Sequence, residues 1–536
     1  VSNAKPTRSL VSIAGIVAIA TLLSKLFGLL RQQAIAAAFG VGVVADAYNY
    51  AYVIPGFFLI LLGGINGPFH SAIVSVVSKR QREEIAPLIE TISTLVGGVL
   101  ILATLLMILF ADPLIDVVAP GLGQTPIGLA TRAIAVQQLR IMAPMALFAG
   151  LIGIGFGVLN ADDQYWLPSI SPLLSSVTVL LGLGTLLLFL GQDLIASDYA
   201  LIGGQVLAWG TLAGAVLQWL VQVPVQWRSG LGRLRLRFDF HQPGVKETVR
   251  LVGPATLSSG MTQINVYTDL FFASFIPQAA AALAYANLLV QTPLGIISNM
   301  ILVPFLPIFS RLSEPENWGE LKLRVRQGLI MTAITMLPLS AILIALAYPI
   351  VRVVYERFAF DQEASQVVTS VLIAYSIGMF VYLGRDVLVR VFYALGDADT
   401  PFRISVVNIL LNAGFDYLFI QPFGAAGLVL ATVSVNAISM IWLLIALHRK
   451  LNGLPWREWS LPIGSLTLTS FITGFAAWGT LTGMQQVLGT EGFLIQLLQL
   501  CGAGAIGLGV FALIATQLRL PEVEQLVSRV GQRLGR

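Results

Sequence analysis

The chain has 536 residues, 56% of them hydrophobic and 11% charged, with a mean hydropathy of +0.84 and a formal net charge of +4. A soluble domain carries about 25% charged residues, so a water-soluble fold is excluded, and at about 20 apolar residues per crossing the chain can span a bilayer more than ten times. The lone cysteine, Cys501, excludes an internal disulfide and a cysteine metal site, and His70, His241 and His448 are too scattered to suggest zinc.

In chain order, apolar segments bounded by polar or Gly/Pro-rich turns fall near 10–38, 44–76, 86–111, 128–159, 165–191, 199–226, 246–276, 279–310, 323–349, 364–394, 402–420, 424–447, 461–483 and 492–517. They predict an all-α polytopic membrane protein of about 14 transmembrane helices. The first segment is too long for a signal-peptide core and runs on through Lys25 and Arg31, so it reads as a retained span. The 51 Gly and 25 Pro are tolerated in transmembrane bundles.

The basic residues then set an orientation. Loops after even-numbered spans hold Lys79, Arg80 and Arg82; Arg228, Arg233, Arg235, Arg237, Lys246 and Arg250; Arg311, Lys322, Arg324 and Arg326; Arg403; and Arg449, Lys450 and Arg457. The termini add Lys5, Arg8, Arg519, Arg529, Arg533 and Arg536, whereas the opposite loops hold only Arg132, Arg352 and Arg357. The positive-inside rule therefore places both termini in the cytoplasm. The pI of 9.2 reflects this distribution rather than a nucleic-acid partner. The strand-like run RLRLRFDF (233–240) reads as a basic linker facing anionic lipid head groups.

The sequence also repeats. LRQQAIAAAFGVGVVADAYNYAYVIPGFF (30–58) is similar to TDLFFASFIPQAAAALAYANLLVQTPLGI (268–296), with Pro55 and Pro293 238 residues apart. VLNADDQYWLPSISPLL (158–174) is similar to YALGDADTPFRISVVNILL (393–411), with Pro168 and Pro401 233 apart. Two matches at nearly one offset predict two six-helix lobes, 1–227 and 246–450, joined by a basic loop at 228–245. An even helix number per lobe makes the repeat parallel, and such transporters bind cargo between their halves. Residues 451–536 supply two extra helices and a tail.

No G-x-x-x-x-G-K-[ST] loop, Ser-His-Asp set or metal-hydrolase pattern occurs, which argues against an ATP-driven pump or an intramembrane hydrolase; a transporter without a cofactor, rather than an enzyme, is expected. The informative residues are polar groups inside spans, because charges there are costly unless they face a cavity. The first span carries Ser24, Lys25 and Arg31. Lys25 and Arg31 sit about 120° apart on the helix, and Asp46 opens the next span near enough to pair with one of them. The tenth span carries Arg385, Asp386 and Arg390, and the i, i+4 spacing suits an Asp386–Arg390 pair. Asn408, Asn412 and Asp416 form one polar stripe on the eleventh span, and Asp269 lies on the seventh without a local basic partner. Acids so placed suggest a bound cation or protonation, with Thr432 able to add a hydroxyl. Sodium, a hard cation suited to oxygen donors, is the first choice and a proton the second.

At these residues the chain resembles the MurJ (MviN) lipid II flippase family of the multidrug/oligosaccharidyl-lipid/polysaccharide exporter superfamily. The resemblance covers nearly all spans and is strongest in SKLFGLLRQQAIAAAFGVGVVADAYNYAYVIPGFF (24–58), LAYANLLVQTPLGIISNMILVPFLPIFSRL (283–312) and GRDVLVRVFYALGDADTPFRI (384–404). It implies a bilobed bundle with a cationic cavity and two extra helices lining an apolar groove. The implied activity is alternating-access transfer of undecaprenyl-pyrophosphate-linked peptidoglycan precursor across the inner membrane, by a monomer that meets membrane lipids and no nucleic acid. Arg31, Asp46 and Ser24 match family positions, and Lys25 stands where many members have Arg, losing the bidentate fork. Asn287 and Gln291 fall in the matching eighth-span motif. The Asn412-x-x-x-Asp416 spacing matches a family sodium site on the corresponding helices. Val53 and Leu288 stand where members carry cavity arginines, and Asn66 where one branch has Glu. These departures leave room for a flippase or exporter of another lipid-linked glycan, or a cation-coupled antiporter of the same fold. A non-transporting scaffold would not need the buried charges.

Overall fold

Inside a bilayer no water satisfies the backbone, so a spanning chain must be helical or a closed barrel. This chain is helical: the computed structural model describes residues 10–64, 67–191 and 199–524, and among them there is no strand. The helices are α1 (Leu10–Phe39), α2 (Val43–Leu62), α3 (Pro68–Val77), α4 (Arg82–Leu109), α5 (Ala111–Val118), α6 (Pro126–Met142), α7 (Met145–Ala161), α8 (Trp166–Ile170), α9 (Pro172–Leu190), α10 (Ala200–Leu220), α11 (Val223–Arg228), α12 (Pro243–Ala273), α13 (Ala279–Arg311), α14 (Trp318–Ala345), α15 (Ala347–Tyr355), α16 (Gln362–Ala394), α17 (Asp399–Lys450), α18 (Trp456–Leu488) and α19 (Phe493–Gln517). Lys5, Arg8, Asn66, Arg529, Arg533 and Arg536 lie outside the described residues.

Among the described residues ten helices are long and apolar enough to cross a membrane, and α6 with α7, bent by 42°, make an eleventh. The 52-residue α17 is two spans, divided at Gly424 by a non-helical backbone of φ 56° and ψ −135°. The 30-residue α1 and 31-residue α12, each roughly 45 Å long, bring the number to the expected fourteen. Several boundaries differ from expectation. The second span breaks after Leu62, where Gly63, Gly64 and Gly67 precede Pro68 at the start of α3. The presumed loop at 112–127 holds α5 and a 3₁₀ turn at Pro120–Gln124.

The repeat is written in the backbone as well as in the side chains. Gly40 and Gln278, 238 residues apart, both have positive φ (57° and 69°). Asp163 and Gly396 (59° and 71°), and Gly191 and Gly424 (54° and 56°), are pairs 233 apart. These are the same offsets as the two sequence matches. A left-handed backbone is costly for most L-residues, so its recurrence at matched positions marks three equivalent turns.

By packing, the chain divides into one unit of residues 1–281 with 357–360, and a second of 282–356 with 361–536. This division runs one helix later than the repeat, because α12 packs with the first unit. There the Gly121 N–H donates to the Ser274 hydroxyl at 2.9 Å. In the second unit α18 and α19 lie against α14: Ile330, Ala333, Leu466, Phe511 and Ala515 form one buried cluster. Small residues let the backbones approach, with Gly474 facing Ala341 and Gly507 facing Ala477. Arg326 clamps this end through Glu522 at 2.7 Å and the Glu458 carbonyl at 3.2 Å.

The few cations on the basic-poor side are matched by acids: Arg132 meets Asp116 at 2.6 Å, and Arg352 meets Glu356 at 3.0 Å. On the other side, Asp397 ties the turn before α17 to its far end, accepting from Lys450 at 2.7 Å and from the Thr400 N–H at 3.0 Å. Burial pushes the Asp397 carboxyl up, but the bonds from Lys450 and Thr400 outweigh it and hold it below the usual carboxylate range. Its contribution to stability is therefore complete above about pH 4, the unfolded value, and disappears as pH falls through the depressed folded value. Asp397→Asn should lower the melting temperature in detergent at pH 7, and its gap from the parent should narrow on acidification toward pH 3. A gap independent of pH would show that the ionised carboxylate is not what holds this turn.

Candidate functional site

A charge inside an apolar bundle needs a partner, a cavity or a ligand. On the first unit, α1 presents Ser24 half-buried, Lys25 exposed and Arg31 half-buried. The Arg31 Nε is buried and, among the described residues, has no hydrogen-bond partner. On the neighbouring α2, Tyr52 stacks on Tyr48 with ring centroids 5.5 Å apart. Tyr48 in turn bonds Thr211 at 3.1 Å.

Asp46 does not orient either cation as expected. Its two oxygens accept from the backbone N–H groups of Gln278 and Ala281, each at 2.8 Å, at the start of α13. A helix start offers unpaired N–H groups and a partial positive charge, so a buried carboxylate is satisfied there without a side-chain cation. Asp46 is thus a capping residue placed 232 residues before the turn that it caps.

On the second unit, Asn287 is half-buried and Gln291 exposed on α13. Arg385 donates to Ser439 at 3.0 Å and to Ser405 at 3.4 Å. The expected Asp386–Arg390 pair is replaced by Arg385–Asp386 at 3.7 Å. Both serines are on α17, and by fixing the guanidinium of Arg385 they turn one nitrogen toward its exposed neighbour. Among the described residues Arg390 enters no ion pair, and it is half-buried.

Three of the four proposed cation ligands come together in the second unit. Asn412 Nδ2 donates to Asp416 Oδ2 at 3.0 Å, and Thr432 Oγ1 donates to Asn412 Oδ1 at 3.2 Å. Asn436 Nδ2 donates to the Thr432 carbonyl at 2.7 Å. Asn408, Asn412 and Asp416 are all buried, and the two halves of α17 fold this chain of oxygens together across Gly424. Asp269 lies on α12 in the first unit, 238 residues from Arg31 and so at the matching place in the repeat. Among the described residues no group of three or more His, Cys, Asp or Glu gathers to hold a metal ion.

The reading of the sequence missed Tyr52, Tyr267, Ser405 and Ser439. Tyr267 donates to the Val53 carbonyl at 3.3 Å, so the position lacking an arginine side chain is tied through its backbone instead. Only the AYNYAY motif (47–52) offered a signal, for Tyr52; isolated serines and tyrosines in apolar runs carry none.

Comparison with known proteins decides the family. The family model described as lipid II flippase MurJ matches residues 35–498. The chain belongs to the MurJ lipid II flippase family. A Synechocystis sp. relative named "Probable lipid II flippase MurJ" is 58% identical over 534 residues, covering 100% of this chain and 99% of its own. A Burkholderia cenocepacia relative named "Lipid II flippase MurJ" is 27% identical, covering 83% and 84%. Among solved structures, "Lipid II flippase MurJ, inward closed conformation" is similar with a TM-score of 0.74 at 23% identity, covering 94% of this chain and 99% of that one. An inward-facing multidrug MATE transporter is similar with a TM-score of 0.63 at 15% identity, covering 82% and 98%. These two likenesses concern the fold. With its apolar helices and bacterial relatives, this member of the MurJ family is a multi-pass protein of the bacterial inner membrane.

Because Asp46 caps a buried helix start, its removal leaves two N–H groups unsatisfied. Asp46→Ala should cost about 1–3 kcal/mol and lower the melting temperature in detergent more than Arg31→Ala, since the Arg31 Nε has no partner among the described residues. The reverse order would mean that Asp46 serves the ligand rather than the fold.

Proposed function

We propose that this chain carries lipid II, the undecaprenyl-pyrophosphate-linked peptidoglycan precursor, from the cytoplasmic to the outer leaflet by alternating access. It is a transporter rather than an enzyme. A pyrophosphate–sugar–peptide head group cannot cross hydrocarbon unaided, and a polar path must be supplied. The observation that carries the reading is the buried Arg31 Nε with no acceptor among the described residues. Leaving a buried donor unmade is unfavourable by about 1–3 kcal/mol, a penalty that an anionic oxygen removes. Lys25 and Ser24, one to two turns before it, extend the same polar stretch, and Arg390 with Asn287 and Gln291 offers further groups on the second unit. The lobes at 1–227 and 246–450 are the moving parts in this reading. The excess of Lys and Arg in one set of loops supports cytoplasmic termini.

Charge-assisted contacts of this type are worth roughly 1.5–3 kcal/mol. Arg31→Ala, inserted at normal levels, should therefore fail to support growth of a strain depleted of its own MurJ, while the parent chain supports it. Growth equal to the parent's would remove Arg31 from the site.

Coupling to a cation is the finer part of the proposal. Asn412, Asp416 and Thr432 bring a carboxylate, an amide oxygen and a hydroxyl to one buried place, and such hard donors suit sodium. The ion would neutralise the Asp416 carboxylate there. Sodium, compared with equal choline, should raise the melting temperature of the parent and leave Asp416→Ala unmoved. Asp269→Ala, measured in the same way, tests separately whether α12 takes part. No sodium response in the parent, or an equal response in Asp416→Ala, would reject this site.

A further inference from the structure

The first unit contains a large apolar cleft apart from the polar residues considered so far. It is walled by α2, α3, α4 and α12 and has a volume of about 910 Å³, near the upper end for ligand cavities, which run to about 1,000 Å³. Phe57, Phe69, Val96, Val99, Val249 and Val252 represent its walls. Val99 and Val249 are more than half exposed, so the cleft opens outward toward the lipid. Two of its hydroxyls are turned to backbone carbonyls: Thr248 donates to Gly244 at 2.8 Å and Tyr267 to Val53. Along α12 it runs from Val245 to Tyr267, about 33 Å at 1.5 Å per residue, comparable to the roughly 30 Å hydrocarbon core. An apolar cleft lined along that length of α12 fits a hydrocarbon chain.

The end of the cleft at Val245 is strongly basic. Residues 78–90 and 228–250, the segments that lead into α4 and α12, carry nine Lys and Arg against five Asp and Glu. That excess of four equals the net charge of the whole chain. Arg80 lies against Gly244 at the start of α12 and reaches Glu247 at 3.3 Å, while Lys79 reaches the same carboxylate at 3.6 Å. Lys246 and Arg250 flank the wall residues Val245 and Val249 and are exposed. The 233–240 run is fastened lengthwise on α4, where the Arg233 N–H donates to Glu90 at 3.1 Å and the Arg237 N–H to Thr94 at 3.0 Å. The same fastening leaves Leu234, Leu236 and Phe238 exposed, and arginines alternate with them. Apolar and basic side chains interleaved in this way suit the head-group boundary of a membrane.

We infer that this cleft binds one anionic phospholipid of the leaflet on the basic side, with an acyl chain in the cleft and its phosphate among Lys79, Arg80, Lys246 and Arg250. Charge selects the occupant, since a zwitterionic lipid offers the same chain without a net charge to meet the surplus. The lipid would bridge α4 and α12 and steady the unit on which Arg31 stands. The site is independent of the cargo assignment.

The test uses the purified full chain in detergent, with native mass spectrometry counting retained lipid after titration with phosphatidylglycerol or phosphatidylcholine. One phosphatidylglycerol should be retained, about tenfold more tightly than phosphatidylcholine. Gly253 lines the cleft with open space where a Cβ would go, so Gly253→Leu places a side chain there and should abolish retention while the melting temperature without lipid is kept. Val249→Trp serves as a second filler if that variant is unstable. The double variant Lys246→Ala with Arg250→Ala should still bind a chain but lose the preference for phosphatidylglycerol. Equal retention of the two lipids by the parent, unchanged binding in both filled variants, or an unaltered preference in the double variant would overturn the inference. So would displacement by undecaprenyl phosphate, because the cleft would then belong to the polyprenyl cargo.

Discussion

The Asp46 carboxylate takes both of its hydrogen bonds from backbone N–H groups at residues 278 and 281. A carboxylate and a helix start are each expensive to bury alone, and here each removes the other's penalty. The contact holds the end of α12 and the turn after it, including Gln278 with its left-handed backbone. α12 packs within the first unit, where it walls the cleft beside α4 and makes the Tyr267–Val53 contact. A residue that looks like a cavity acid is therefore a structural fastener.

The repeat explains how one architecture supports two kinds of electrostatics. Matched positions carry Arg31 in the first copy and Asp269 in the second. The first copy keeps a buried guanidinium nitrogen that has no partner among the described residues, whereas the second gathers Asn412, Asp416 and Thr432. Backbone geometry is retained at the three paired turns while charge is reversed, because turn conformation depends on local sterics and charge depends on what each copy must hold. The copies differ in where their helices break: α2 and α3 are separated by a glycine-rich stretch, whereas α13 continues for 33 residues through Pro293, Pro304 and Pro307, and α6 and α7 meet at a bend where α16 is continuous. Prolines are tolerated in a membrane helix whose neighbours satisfy the freed carbonyls.

The loops show the same economy. On one side the cations are tied to nearby acids, as Arg132 is to Asp116 and Arg352 to Glu356. On the other a surplus is left over, concentrated around the start of α12. The orientation rule counts only Lys and Arg; the basic-poor side is not merely short of cations but also pairs Arg132 and Arg352 with acids.

The amino-acid sequence alone determined the class, the fourteen spans, the basic side and the two repeat offsets, because hydropathy and composition are properties of each segment by itself. It also picked out Asn412 and Asp416, whose i, i+4 spacing places them on one helix face whatever surrounds them. Tertiary structure decided the partners. Asp46 met a helix start rather than a cation, and Asp386 met Arg385 rather than Arg390, because contacts across hundreds of residues, or the grip of Ser405 and Ser439 on a neighbour, outweigh local spacing. The 233–240 run alternates like a strand but forms no ladder, since its N–H groups found Glu90 and Thr94 on a helix instead of a second strand. The cleft had no sequence signature at all: its walls come from four helices, and an empty volume is a property of how surfaces meet rather than of any residue in them.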